Sequence, residues 1–75
     1  MIFDIVRNQM NNDNPPETNL TYKTLRAMGF SDFESMQQIG QCVAMEIFQV
    51  MKFKEPFDKE RYVGNLKRLP EEPFI

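Results

Sequence analysis

The chain has 75 residues, one cysteine and no histidine, so it is a single small domain that can close no internal disulfide and lacks the commonest metal ligand. Its net charge of −2, with nine basic and eleven acidic side chains intermixed, offers no broad basic field for nucleic acid or an anionic membrane. Seven phenylalanines and six methionines supply much apolar surface, and a chain this short must draw its stability from tight helix packing, from association, or from both.

No apolar run approaches the roughly 20 residues of a membrane span. The start, "MIFDIVRNQM", lacks the basic lead and small-residue cleavage site of a signal peptide. A lone unpaired thiol without export signals fits a reducing cytoplasm.

Met1, Ile2, Ile5, Val6 and Met10 recur at helical spacing, with Asp4, Arg7, Asn8 and Asn11 on the other side. This predicts a short amphipathic first helix over about 1–11. Asn12-Asp13-Asn14 and Pro15 then form a loop, because the residue before a proline avoids helical angles. A second helix is expected over about 16–28. Pro16 suits its first turn, Glu17 favours its positive start, and Asn14 is placed to cap it. Leu20, Leu25 and Met28, with Tyr22 or Thr21, are its expected buried side.

Gly29 is the stop, with Phe30 folding back as the accompanying apolar contact. Ser31-Asp32-Phe33-Glu34 reads as a capping box that opens the third helix, from Asp32 to about Lys52. On that helix Phe33, Met36, Gly40, Val43, Ile47, Val50 and Met51 share one face, with Ile39 beside them. Met45 and Phe48 fall nearly opposite, next to Gln37 and Gln41. A helix apolar on two sides is buried on two sides, either by its own bundle or by a partner. Asp58 is the expected cap of a last helix over about 59–68, whose stripe is Tyr62, Val63, Leu66 and Leu69. Pro70 ends it, and the tail "EEPFI" is polar with an apolar tip. Four helices and no strand pattern make the fold all-α, a small bundle around a long third helix, in one domain over 1–75.

Constellations that could carry chemistry are few. Cys42 lies mid-helix among apolar neighbours with no base in the chain, which reads as a buried structural thiol. Asp32 and Glu34 are explained by capping. Glu46 falls beside the apolar face of the third helix, where it is either a functional buried carboxylate or the partner of an Arg or Lys from a neighbouring helix. "NNDN" at 11–14 lacks the glycine and terminal glutamate of a calcium loop. Two helices joined by a tight turn invite comparison with a helix-turn-helix, yet the first turns of the third helix, "DFESMQQ", are acidic where phosphate contact needs Lys and Arg. Lys52, Lys54, Lys59, Arg61, Lys67 and Arg68 do gather toward the C-terminus, interleaved with Glu55, Asp58 and Glu60 as a mixed solvated face.

Met28-Gly29-Phe30 resembles the loop of ubiquitin-associated domains, but the following helix is far longer than that three-helix fold holds, and the glycine stop explains the same residues. More of the chain is carried by "NNDNPPET", "LRAMGFSDFE", "IGQCVAMEIF" and "PFDKERYVGNLKRLP". From about Val6 to Pro70 these segments resemble an uncharacterised family of small all-helical bacterial proteins with only a domain-of-unknown-function label. Its most specific parts are the Asn14-Pro15-Pro16-Glu17 turn and the Pro56-Phe57-Asp58…Arg61-Tyr62 block. The resemblance implies an all-helical bacterial protein and supplies no activity. It also implies histidine, in relatives, at the positions held here by Phe3 and Gln37, beside the glutamate at Glu46. A metal or acid/base role built on those histidines has no counterpart here.

The leading expectation is a small cytoplasmic interaction or structural module, not an enzyme and without cofactor or metal. It self-associates as a dimer or binds a protein partner through Met45, Phe48, Gln37 and Gln41. The alternative is a degenerate enzyme or ligand-binding bundle using Glu46 with Gln37 or Gln41 in an inter-helix pocket. A weak nucleic-acid-binding helix-turn-helix is the third reading.

Overall fold

The computed structural model describes residues 1–71; the apolar tip expected on the tail falls at 72–75, outside the described residues. Four helices make up the fold: α1 (Ile2–Asn12), α2 (Pro16–Ala27), α3 (Asp32–Phe53) and α4 (Lys59–Arg68). Among the described residues there is no strand, and no helix is long and apolar enough to cross a membrane. The chain is a small all-α protein in which α3 packs against the other three helices, α1 lies against α2, and α2 against α4.

The helix ends follow local chemistry. Gly29 takes φ 103°, a conformation that side chains disfavour. The Gly29 N–H then bonds the Arg26 carbonyl and the Phe30 N–H the Leu25 carbonyl, both at 3.1 Å, which closes the last turn of α2. Ser31 and Glu34 form the expected capping box: the Glu34 N–H donates to Ser31 Oγ at 3.1 Å, and the Ser31 N–H to Glu34 Oε1 at 2.9 Å. The Arg61 N–H donates to Asp58 Oδ1 at 3.0 Å, capping α4. One expected cap is corrected. Pro15, not Asn14, occupies the cap position of α2, which has no side-chain cap bond; Pro16 in its first turn has no N–H to satisfy.

The core consists of Val6, Leu25, Met36, Ile39, Cys42, Val43, Tyr62, Leu66 and Leu69, flanked by partly buried Ile2, Phe3, Ile5, Met10, Tyr22, Phe30 and Ile47. Gly40 lets α1 approach α3 closely, since a Cβ there would lie 3.1 Å from Ile2 Cγ2. Two expected faces are rotated. On α2, Leu20 and Met28 are exposed, and Thr18 is buried with Leu25 instead. Leu20 is two positions from Thr18, about 200° round the helix, and Met28 lies past the last helical residue. On α3 the buried arc is Ser35, Met36, Ile39, Gly40, Cys42, Val43, Glu46 and Gln49. Phe33, Val50 and Met51, expected in the core, are exposed. For Val50 the reason is the end of the bundle: residues 50–60 are all exposed, so the last turn of α3 runs beyond the helices that would cover it. Phe33 and Met51 share a line about 110° round the helix from the middle of the buried arc, outside its covered side.

Candidate functional site

The covered side of α3 carries a polar knot. Glu46 has no exposed surface, and α4 begins directly beside it. Its Oε1 accepts the Asp58 N–H at 3.0 Å and Arg61 Nη2 at 3.0 Å; its Oε2 accepts Arg61 Nε at 2.6 Å. The guanidinium thus grips the carboxylate in a two-pronged fork, and this bonding with Glu46 pushes the Arg61 pKa above its ordinary value. One side of Arg61 still reaches solvent, at 18% exposure. Both oxygens are engaged, so the carboxylate has no free surface to offer a ligand.

A second group ties α1, α2 and α4 together. Thr18 Oγ1 donates to Gln9 Oε1 at 2.9 Å, and Tyr62 OH donates to the same oxygen at 2.6 Å. Thr18 and Tyr62 are fully buried, and burial raises the phenol pKa. The Phe57 ring leans on Tyr62 with centroids 5.4 Å apart. Cys42 is buried close by; burial, then the charge of Glu46, push its thiol up to about 12. Such a thiol stays protonated and is a poor nucleophile.

The outward side of α3 is the other feature. Gln37, Gln41 and Phe48 lie exposed along it, with Met45 half-buried at its edge. On this side Phe33 is 61% exposed, Phe48 47% and Met51 75%; Phe53, 50% exposed, is seven positions from Glu46, about two turns, and so continues the inward line past the end of the bundle. Lys52 Nζ sits 5.2 Å from the Phe48 ring centre and 5.5 Å from that of Phe53. Phe33 makes an edge contact with Phe3 at 5.6 Å.

The structure therefore gathers Gln37, Gln41 and Phe48 on one open face and does not bring them to Glu46. Gln37 and Glu46 are nine positions apart, about two and a half turns, which puts them on opposite sides of α3. An inter-helix pocket shared by Glu46 and either glutamine has no geometric basis. Among the described residues, no set of three or more Cys, Asp or Glu side chains converges as a metal site. Sequence reasoning missed the Gln9–Thr18–Tyr62 group. A signal was present, because Gln9 is three positions from Val6, within the apolar arc of α1.

Fold and site together define a small all-α four-helix protein with a polar-knotted interior and one open, partly apolar helix face. Comparison with family models, curated proteins and solved structures gave no match.

Proposed function

We propose that this protein is a non-catalytic interaction module that self-associates through the outward side of α3. The observation that carries this reading is the exposure of Phe33, Phe48 and Met51 along that side of one helix. Apolar surface grouped in this way marks interaction sites more often than scattered single residues do. A non-catalytic role is supported by the chemistry of the interior: the only thiol is buried and held protonated, and the buried carboxylate is occupied by Arg61 and Asp58.

The same proposal takes in a reducing, cytoplasmic setting, supported by the free thiol of Cys42. It also takes in membership of the small helical bacterial family that the sequence resembles. Residues of the Pro56-Phe57-Asp58…Arg61-Tyr62 block are the ones that fasten α4 to α3 here: Asp58 caps, Arg61 grips Glu46, and Phe57 packs on Tyr62.

Light scattering on a size-exclusion column, over a range of loading concentrations, tests the association. A dimer mass is expected at high concentration, and Phe48→Asp is expected to return the monomer without loss of helix content. A wild-type chain that stays monomeric at every concentration overturns the reading.

A further inference from the structure

We infer that the partner on the outward face of α3 is a second copy of this chain, running antiparallel, with its two-fold axis between residues 42 and 43. The inference rests on the self-association proposed above and specifies the register.

The argument comes from spacing on one helix. Phe33 and Met51 are eighteen positions apart, and so are Glu34 and Lys52. At 3.6 residues per turn that is about five whole turns, so each pair lies on one line along α3, near its two ends. All four side chains are exposed. A two-fold axis perpendicular to a pair of antiparallel helices carries each line onto itself with its ends exchanged. It sets Phe33 of one copy against Met51 of the other, and Glu34 against Lys52, and it does so twice. Gln37 then faces Phe48 of the second copy, and Gln41 faces Ala44. The small Ala44 near the centre allows the two helices to come close.

Charge selects this orientation over its opposite. A parallel pair in register would stack Glu34 on Glu34 and Lys52 on Lys52, like charge on like. More broadly, α3 is acidic at its start, with Asp32 and Glu34, and basic at its end, with Lys52 followed by Lys54. Only an antiparallel copy matches one end with the other. Glu34 spends Oε1 on the Ser31 N–H, which leaves its second oxygen for the lysine of the second copy.

Charge exchange tests the register. Glu34→Lys and Lys52→Glu are each expected to weaken the dimer roughly tenfold, since two exposed pairs become two repulsions. Mixing the two variants is expected to form a mixed dimer of wild-type strength, and so is combining both changes in one chain. Glu34→Gln keeps an oxygen for the Ser31 cap and serves if Glu34→Lys unfolds the helix start; it is expected to weaken the dimer by a smaller factor. Raised salt is expected to narrow these differences.

The outcomes separate the two claims. A wild-type dimer whose strength ignores every charge change overturns the register and leaves self-association standing. Single variants that weaken the dimer without recovery on mixing also overturn the register. A wild-type monomer overturns both.

Discussion

Glu46→Gln keeps the shape of the most enclosed charged side chain and removes its charge. In the native arrangement three donors converge on its two oxygens: the Asp58 N–H, Arg61 Nη2 and Arg61 Nε. An amide presents one acceptor oxygen and one NH2 group. If its oxygen keeps Asp58 and Nη2, its NH2 faces Nε–H, donor against donor. At least one charge-assisted bond is lost, at about 1.5–3 kcal/mol each. The site is fully buried, so no water replaces the bond, and the loss falls toward the upper part of that range, at about 2–3 kcal/mol.

The solvent-facing edge of Arg61 limits the damage, because its charge can swing outward rather than stay trapped. The reverse change, Arg61→Met, has no such outlet. It strands the Glu46 carboxylate inside the bundle, and a buried charge deprived of its partner costs about 3–5 kcal/mol. Stability for a chain of this length is about 4–11 kcal/mol, so either change removes a large share of it. For Glu46→Gln the melting temperature is expected to fall by roughly 10–20 °C. Urea unfolding at neutral pH gives the free energies and a thermal melt the temperature shift, both followed by circular dichroism. A Glu46→Gln protein within about 0.5 kcal/mol of the parent would refute the argument, since that is the ordinary scatter of surface substitutions. So would an Arg61→Met protein that proves the more stable of the two.

Two glycines separate backbone freedom from space. A Cβ on Gly64 meets nothing within 4 Å, so Gly64→Ala is expected to stabilise α4 by about 0.5–1 kcal/mol. Gly29→Ala also has room but sits at φ 103°, and is expected to cost about 1–3 kcal/mol; thermal melts that rank the two alike would contradict this. Tyr62→Phe keeps the ring and removes the donor to Gln9, at an expected cost of about 1 kcal/mol; an unchanged urea midpoint would show that the bond adds nothing. At alkaline pH the buried thiol destabilises the fold. The folded pKa of Cys42 is about 12 against an ordinary 9.0, so the unfolded chain gives up its proton first. The contribution is whole below pH 9 and fades as pH climbs toward 12, with a slope of up to about 1.4 kcal/mol per pH unit. Cys42→Ala is expected to flatten that decline, and equal slopes in the two proteins would remove the thiol from the explanation.

The sequence by itself determined where the helices begin and end, because those signals act within a few residues. Gly29 stops α2, Ser31 and Glu34 start α3, and Asp58 starts α4, each through bonds spanning five residues or fewer. It also placed Tyr62, Leu66 and Leu69 correctly as the inner side of α4 and its exit. Which arc of α3 turns inward was decided only in the tertiary structure. Apolar residues surround that helix, so periodicity alone favoured Phe33, Val50 and Met51 for the core. The exposure of Val50 follows from where the other three helices stop, and that of Phe33 and Met51 from which arc those helices cover, and no local pattern encodes either. The same holds for the buried polar residues. Hydropathy sent Leu20 inward and gave Thr18 no place there, yet Thr18 is inside because Gln9 accepts its hydroxyl hydrogen, and Gln9 is held in turn by Tyr62, 53 positions away along the chain. A polar group can be buried once a partner meets it there, and that partner is supplied only when the helices come together.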